Sequence, residues 1–518
     1  MQFKPERWID PNCTDVKEAS QPFSLGLRAC VGRNFAFVEM SSILAKVLYT
    51  YDLELVDQNL DWENDSHCHI MWWKAPVHAG STAACRQLSS AFPSLLFSSD
   101  TAIYANQSHL PWSQTCLLSP SCVFLPQDAE DVSHALRIIK MTRAPFSVIG
   151  AGHMPVPGAA SIDHGVMISL HDLKHRQLSE DLTGRAVNGG RYGQVGVGGL
   201  LLGGGIGYFS SQVGWGANSV VQYEVVLPDS SIVLVNAASH PVLFWALKGG
   251  SNYFAARYGP PRPLLPWLDA LNAYLDPGGG AEDVKAAIMP MIALTPSDGV
   301  SEVISLEFYA DAVNEPKAFE NFTAIDGPTL LNESGVGPWT YLPTALNTPA
   351  YAAKDKRQQF WTISFKADPR AISIVNHTVF DQARATLQHV TDLSISFSFQ
   401  PISKAWIEAA KALGGDAMDL DPNDASFVAG LMSSTWSNAA DDAAVRDFSR
   451  NAANSIRQQT AALGLGHSFL CLNDVGVGQT PFRSYGNGSS LKRLQAIQRE
   501  YDRDGVFHNL LAHGFLLQ

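Results

Sequence analysis

The amino-acid sequence predicts an α+β protein whose main sheet is antiparallel and carries helices on one face. The second half of the chain provides the evidence, because runs rich in apolar and aromatic residues at 299–310, 360–367 and 393–403 indicate strands. Helical patterns lie between and after them, at 369–390 and 439–464. This interleaving favours an antiparallel sheet that is covered by helices on one side.

Size and charge restrict the possible functions. A chain of 518 residues is long enough for two or three domains with sizeable cores. The net charge of −13 leaves no basic excess to neutralise phosphates, which argues against nucleic acid as a partner. No apolar run approaches the length of a membrane span, and the charged N-terminus does not resemble a signal peptide. We expect a small-molecule partner, and the compartment stays open.

The cysteines indicate neither a metal site nor a disulfide framework. Seven are present, without any CxxC spacing. Cys85 could pair with Cys116 or with Cys122, and the sequence does not decide between them. Sequons of the N-x-S/T type recur, as at Asn106, and point only weakly to a secretory ancestor.

The first motif that carries chemistry is PFSLGLRACVGRNFAFVEM, residues 22–40. A thiolate that binds haem iron must be kept deprotonated and oriented, and a helix N-terminus provides both conditions. Cys30 stands at the start of a predicted helix, between Gly26 and Gly32, which let a loop pass close to a porphyrin. Arg28 could bind a haem propionate.

This stretch resembles the cysteine loop of the cytochrome P-450 family, whose pattern F-x-x-G-x-R-x-C-x-G it matches at every fixed position. The resemblance covers residues 1–80 and implies that Cys30 would bind the haem iron. In the family the rest of the haem pocket precedes this loop, and here nothing upstream could form it. We expect a fragment that does not retain haem. The alternative is a haem-thiolate monooxygenase that acts through Cys30.

A second motif occupies the centre of the chain. Asp128 is predicted to cap a helix, which leads into the short apolar strand FSVIG at 146–150. The loop after this strand holds Gly150, Gly152 and His153.

Glycines then crowd into residues 189–207, among them Gly196, Gly198 and Gly199. Where no Cβ intervenes, backbone N–H groups can approach a pyrophosphate or a flat ring closely. The spacing is not G-x-G-x-x-G between a strand and a helix, so a Rossmann site is not indicated. On glycine content alone, tight turns in a β-rich region explain the pattern equally well.

The order of these segments resembles that of the FAD-linked oxidases with a PCMH-type FAD-binding domain of the vanillyl-alcohol-oxidase-like fold. The similarity is to the berberine-bridge-enzyme-like group, which includes fungal oxidases of secondary metabolism. The pieces that carry it are SVIGAGHMPVPGAASI, VGVGGLLLGGGIGYFSSQVGWGANSVVQYEVVLPDSS and HPVLFWALKGGSNYF. The resemblance implies a substrate domain whose sheet roofs the flavin. It also implies hydride transfer from a small organic substrate to FAD and then to dioxygen.

The same resemblance assigns candidate site residues. His153 stands where the family's histidine commonly bonds to the flavin C8α methyl, and the alternative is a histidine that only donates or accepts a hydrogen bond. Members with a second link have a cysteine at a place that Arg191, Tyr192 and Gly193 occupy here, so no second link is expected. The residues expected to lie along FAD are Gly150, Gly152, Gly196, Gly198, Gly199, Lys248, Gly249 and Gly250.

Two departures from the family concern the FAD-binding domain. After residues 171–181 the family continues with strands and a helix that are not found here. After residues 248–254 an expected strand is replaced by a run with Pro260, Pro261 and Pro263, which exclude a central strand. We expect an internally shortened domain that holds FAD weakly. An inactive fusion product or a gene-model chimera is the main alternative function.

The C-terminal segment also resembles the family. Leu494 and Ile497 belong to a helical stripe, and YDRDGVF follows it, with Arg503 where the family usually has proline. The resemblance implies that this segment packs on the FAD-binding domain. The expected domains are a P-450 fragment (1–80), the FAD-binding domain (81–258), the substrate domain (259–465) and the C-terminal segment (466–518).

The catalytic residues stay unassigned at this level. Gln400 in FQPIS occupies a place that often faces substrate in the family, and the alternative is a surface residue of a strand. A general base is needed for alcohol substrates, and the sequence does not identify one.

Overall fold

The computed structural model divides the chain into two compact units, Met1–Ala79 and Gly80–Gln518. The residues that it describes are 33–50, 67–68, 72–73, 79–173, 188–249, 264–325, 353–424, 426–512 and 517. Among the helices of these ranges, none combines the length and the apolar character that crossing a bilayer requires.

The described residues of the N-terminal unit form one long helix and a pair of short strands. The helix is α1 (Arg33–Thr50), and β1 (His67–Cys68) pairs antiparallel with β2 (Trp72–Trp73). Cys30, Gly26, Gly32 and Arg28 lie outside the described residues, so the predicted haem-ligand loop stays a prediction.

The second unit begins with a small sheet in which most strands are parallel. Its elements are α2 (Ala79–Ala91), β3 (Leu96–Phe97), α3 (Ala102–Ser108), β4 (Cys122–Phe124), α4 (Ala129–Thr142), β5 (Phe146–Ile149) and β6 (Val166–Ser169). The strand order is β3-β4-β6-β5, with β3 antiparallel to β4 and the other pairs parallel. The predicted helix and strand are confirmed. The Asp128 carboxylate caps α4 by accepting a hydrogen bond from the Asp131 N–H, and Ala135 and Ile139 are buried against the sheet.

A disulfide joins the first helix of this unit to its sheet. Cys85 on α2 and Cys122 on β4 are bonded across a separation of 37 residues. Cys122 is therefore the partner of Cys85, between the two candidates that the sequence left open. Cys116 and Cys471 are reduced and buried.

The glycine-rich segment folds mainly into short helices and turns. Its elements are α5 (Val197–Leu202), α6 (Ser210–Val213), β7 (Gln222–Val226), β8 (Ile232–Asn236) and α7 (Pro241–Leu247). A tight turn follows β7, in which the Asp229 carboxylate accepts a hydrogen bond from the Ser231 N–H and Ser230 has a φ of 72°. Strands β7 and β8 form a two-stranded sheet of their own, so Val225 and Val226 are only half-buried.

The largest sheet has six strands, all paired antiparallel, in the order β10-β9-β12-β13-β11-β14. The strands are β9 (Ala286–Thr295), β10 (Val300–Tyr309), β11 (Arg357–Lys366), β12 (Ser394–Ile402), β13 (Phe427–Trp436) and β14 (Gly466–His467). The three strands expected from the sequence correspond to β10, β11 and β12 and are confirmed. Strands β9 and β13 were not predicted, since Pro290 and Gly430 interrupt their apolar patterns. Pro290 is tolerated because pairing between β9 and β12 ends at Met291.

Long helices cover one face of this sheet, as predicted. The helices of this region are α8 (Leu264–Leu275), α9 (Glu320–Thr323), α10 (Pro369–Val375), α11 (Gln382–Thr386), α12 (Lys404–Ala412) and α13 (Asp442–Ala462). Residues Trp267, Val375 and Ile456 of α8, α10 and α13 share one core with Ile363 and Phe365 of β11. Because successive side chains of a strand point to opposite faces, Phe360 belongs to a different core.

The opposite face of the sheet packs on the glycine-rich segment. Phe360 and Leu431 of the sheet share a core with Leu200, Ile206 and Trp215. Helix α12 lies on this side, with Trp406 and Ile407 in the same core. The sheet is thus positioned to roof the segment in which the sequence predicts a cofactor site.

The C-terminal segment packs on the β7–β8 hairpin and α7. It contains α14 (Ser489–Tyr501) and α15 (Val506–Leu510). Ile497 shares a core with Val235, Leu243 and Phe244. The Asp502 carboxylate accepts hydrogen bonds from the backbone N–H groups of residues 506 and 508, which holds the turn without the family's proline.

Candidate active site

Two glycine-bearing loops meet above the small sheet. One follows β5, and the other leads into α5, whose N-cap is Gly196. A Cβ built on Gly196 would lie 3.0 Å from the Ala151 nitrogen and 3.1 Å from its Cβ. Glycine at 196 therefore permits the close approach of the two loops that the sequence predicted to act together.

The predicted glycines divide into two physical classes. A Cβ at Gly152 would lie 3.0 Å from Ile149 Cδ1 and from Pro111 Cα, and its φ is 67°. By contrast, a Cβ at Gly150 or Gly198 would meet no described heavy atom within 4 Å, and both residues are exposed. Gly152 is explained by the fold, whereas the glycines at 150 and 198 leave open space that a bound group could fill.

His153 is a buried histidine beside an aromatic ring. It follows directly on Gly152, whose carbonyl accepts a 2.8 Å hydrogen bond from the Trp112 backbone N–H. The indole of Trp112 lies 4.3 Å from the imidazole of His153, centroid to centroid, at 38°. Burial lowers the pKa of His153 well below its usual value, because the charged imidazolium is poorly solvated there. The imidazole is consequently neutral near pH 7 and keeps a nucleophilic nitrogen lone pair.

Residues 248–250 were predicted to lie along FAD, and the contacts that the structure describes for Lys248 and Gly249 are with other residues of the chain. The Lys248 ammonium lies 4.3 Å from the centre of the Phe244 ring and 3.4 Å from the Leu413 carbonyl oxygen. Gly249 has a φ of 92°, and a Cβ there would lie 2.0 Å from Met418 Sδ. Gly250 lies outside the described residues. A role of these residues along FAD stays a prediction.

Gln400 on β12 is buried, with 1% of its surface exposed, so the alternative of a surface strand residue is wrong. Its side chain links two charged groups. Arg191 Nη2 donates to Gln400 Oε1 at 2.5 Å, and Gln400 Nε2 donates to Asp474 Oδ2 at 2.6 Å. Nε2 also donates to the Ala429 carbonyl at 3.2 Å. The structure thus brings together Arg191 and Gln400, which lie 209 positions apart in the sequence.

Burial also raises the pKa of the Asp474 carboxyl, and the bond from Gln400 and the charge of Arg191 oppose this effect. The Cys471 thiol donates a hydrogen bond to the same carboxylate. Burial raises the pKa of this thiol well above its usual value. Sequence reasoning did not identify Asp474. The chain around it, LNDVG, carries no periodic or motif signal, and only the fold places it behind Gln400.

A cleft opens where the large sheet meets the glycine-rich segment. It encloses about 480 Å³, counted with its opening to solvent. Arg191 and Gln400 lie on its wall together with Tyr208, Met289 and Trp406. The lining of the cleft has the mixed polarity of a small-molecule site.

Comparison with family models identifies two regions of the chain. The cytochrome P-450 model matches residues 1–76, so this region ends at residue 76 and not at 80 as expected. The FAD binding domain model matches residues 120–190. The second match contains the loop of Gly150, Gly152 and His153.

Curated relatives match most of the chain. The FAD-dependent monooxygenase prx3 of Penicillium roqueforti is 34% identical over 479 residues, which cover 84% of this chain and 93% of the relative. The bifunctional solanapyrone synthase of Alternaria solani is 29% identical over 485 residues, which cover 85% of this chain and 90% of that protein.

Solved structures share the fold. Glucooligosaccharide oxidase from Acremonium strictum superposes with a TM-score of 0.64 at 16% identity, covering 84% of this chain and 99% of that one. BBE-like 1 from Physcomitrella patens gives a TM-score of 0.63 at 14% identity, with coverages of 84% and 99%. The first of these carries a 6-S-cysteinyl, 8α-N1-histidyl FAD. At such identities the likeness concerns the fold alone.

Proposed function

The chain belongs to the FAD-linked oxidoreductases with a PCMH-type FAD-binding domain, in the berberine-bridge-enzyme-like group, and we propose that it oxidises a small secondary metabolite with dioxygen as final electron acceptor. The predicted fold class and the predicted class of FAD-linked enzyme are thereby confirmed. In the proposed reaction the substrate loses a hydride and a proton, and dioxygen is reduced to hydrogen peroxide. The name of the solanapyrone synthase supports the substrate class.

The observation that carries this proposal is the pair of glycine loops around a neutral imidazole. The open space at Gly150 and Gly198 fits a group that approaches the backbone closely. A neutral His153 fits a covalent tether, since an imidazolium has no lone pair with which to form a bond to carbon. Arg191, Tyr192 and Gly193 occupy the place of the second link, so we propose attachment at His153 alone. These residues fit FAD.

Bound FAD would supply the hydride acceptor of the reaction. The residues of the chain would bind and orient the substrate. Arg191 and Gln400 provide hydrogen-bonding groups on the wall of the cleft, and Met289 and Trp406 provide apolar surface that excludes water. The Asp474 carboxyl lies behind Gln400 and holds its amide. We assign no general base.

Internal shortening of the FAD-binding domain is also part of the proposal. An alignment over 479 residues that covers 84% of a 518-residue chain has more positions than the chain supplies residues. The relative therefore has segments without a counterpart here. This supports the deletions expected from the sequence, and we expect weaker noncovalent FAD affinity as a result.

Dioxygen as acceptor can be tested without knowledge of the substrate. The FAD-loaded protein is photoreduced under argon with EDTA and mixed with air-saturated buffer. We expect reoxidation at a rate proportional to the oxygen concentration, with one hydrogen peroxide formed per flavin. A reduced protein that persists in air, but reacts at once with an artificial dye acceptor, would exclude the oxidase and leave a dehydrogenase.

For the N-terminal region we propose that residues 1–76 do not hold haem by themselves. The P-450 match covers residues 1–76 and includes Cys30. A single cysteine loop supplies one axial ligand but no enclosing pocket, and the shielding of haem iron depends on that pocket. Haem-dependent monooxygenation through Cys30 remains the rival function and is tested below.

A further inference from the structure

The cleft next to the glycine-rich segment combines apolar walls with one charge. Among the described residues that line it, Arg191 is the one charged side chain. Apolar surface comes from Ile206, Ile288, Met289 and Trp406. Neutral polar side chains also line the cleft, namely Tyr208, Ser211, Tyr274, Gln400 and Ser403. A site of this composition takes a largely apolar molecule and orients it through a few polar groups, of which Arg191 carries the charge.

Hydrogen-bond chemistry defines the orientation of the Gln400 amide. One end of the amide faces two acceptors, the Asp474 carboxylate and the Ala429 carbonyl, and must therefore be the NH₂ group. The other end faces the Arg191 guanidinium and must be the oxygen. Gln400 thus presents a neutral oxygen acceptor to Arg191. The two hydrogen bonds that its NH₂ group donates keep the amide in this orientation.

The protein leaves the charge of Arg191 incompletely matched. Its described hydrogen bond goes to a neutral oxygen, and its Nε is buried without a hydrogen-bond partner in the part of the chain that the structure describes. The Asp474 carboxylate acts on Arg191 through its charge, but its described hydrogen bonds come from Gln400 Nε2 and the Cys471 thiol and not from the guanidinium. A buried guanidinium with so little compensation is costly, and an anion in the adjoining cleft would compensate its charge from the side on which Arg191 lines that cleft.

We propose that this cleft binds an apolar substrate through one anionic oxygen, in the simplest case a carboxylate, placed against the Arg191 guanidinium. The inference rests on the proposed function, because it names the substrate class of the same site. Arg191 is then a binding residue that decides between acidic and neutral molecules of equal shape. A charge-assisted hydrogen bond in a sheltered site is strong enough for such a decision.

Matched pairs of probes test the charge requirement. The FAD-loaded protein is titrated with 2-naphthoate and 2-naphthamide, and with decanoate and decanamide, while tryptophan fluorescence is followed. We expect each acid to bind at least about tenfold more tightly than its amide, the least that a charge-assisted bond contributes. Equal affinities, or no binding of any probe, would overturn the inference. A preference that appears only before FAD is added would also overturn it, because the cofactor would then be the anion.

Variants separate the charge from the packing of the cleft. Arg191→Met should lose the preference for acids, whereas Arg446→Met, on the exposed face of α13, should keep it. Asp474→Asn removes the opposing negative charge and should preserve or enlarge the preference. If Asp474→Asn abolished the preference as Arg191→Met does, both variants would be damaging the cleft and the inference would fail. The flavin absorption and the air reoxidation of the same preparations report on the proposed function independently.

Discussion

Alanine at the open glycines gives a direct test of their role. If Gly150 and Gly198 are glycines because a cofactor lies against their backbone, the added methyl groups should weaken FAD binding and leave the stability of the fold almost unchanged. Gly207 provides the opposite case. A Cβ at Gly207 would lie 2.1 Å from Asn188 Oδ1 and 2.7 Å from the Gly189 carbonyl oxygen. Gly207→Ala should therefore lower the stability of the fold itself.

The expected magnitudes follow from these distances. At Gly207 overpacking costs about 1–3 kcal/mol, and displacement of Asn188 costs about 1 kcal/mol more, because its Oδ1 accepts a bond from the Phe209 N–H. At Gly198, inside α5, alanine should stabilise the protein without FAD by about 0.5–1 kcal/mol. At Gly150 the change should stay within about 0.5 kcal/mol.

Affinity for FAD should fall in the two open-glycine variants, whose stability is almost unchanged or increased. A methyl group that intrudes on the cofactor costs about 1–3 kcal/mol of binding, so the Kd should rise about 5- to 150-fold in Gly150→Ala and Gly198→Ala. The measurement is made in a His153→Ala background, where FAD dissociates, by quenching of flavin fluorescence. Urea unfolding without FAD gives the stability of each protein.

Two outcomes would refute the argument. The first is an unchanged Kd in both open-glycine variants. The second is a loss of stability in Gly150→Ala or Gly198→Ala that equals the loss in Gly207→Ala. Either result would mean that the glycines serve turns, which was the alternative explanation of their density.

Four further predictions concern other parts of the molecule. Replacing Cys85 and Cys122 together by serine should lower the unfolding free energy by about 4 kcal/mol, because the disulfide closes a loop of 37 residues. A reductant should lower the stability of the wild type by the same amount and leave that of the double variant unchanged. Trp112→Ala should reduce the fraction of protein with covalently bound FAD, measured by intact mass, whereas Trp112→Phe should retain most of it because a ring still packs on His153; equal fractions in both would contradict a positioning role. Burial raises the pKa of Asp416 to about 6 in the folded state, above its unfolded value of about 3.9. The contribution of this group to the unfolding free energy should therefore be full at low pH and fall by about 3 kcal/mol between about pH 4 and 6. Asp416→Asn should remove this pH dependence, which urea unfolding at a series of pH values would measure. Reduced protein under carbon monoxide should show no Soret band, and a shifted band that disappears in Cys30→Ala would instead establish haem binding.

Local elements were predictable where the sequence carries its own period. Helix α4 follows from Asp128 and the spacing of Ala135 and Ile139, and β11 and β12 follow from their aromatic and β-branched runs. Strands β9 and β13 were missed because Pro290 and Gly430 locally disfavour a strand. Gly430 is paired on both sides, with Ile363 of β11 and Phe399 of β12, and Pro290 is paired with Ser305 of β10. This pairing overrides the local preference.

The site was predictable in part. The loops of Gly150, His153 and Gly196 are short motifs, and their order along the chain was enough to associate them. Contacts between distant segments leave no local trace, so the bond between Arg191 and Gln400 and the position of Asp474 became visible only in the fold.

Absorption of the purified protein, before and after acid precipitation, tests the central claim most directly. The account predicts the two visible bands of oxidised flavin, a yellow pellet from the wild type, and a colourless pellet from His153→Ala whose supernatant is yellow. A preparation that stays colourless after incubation with excess FAD would contradict it.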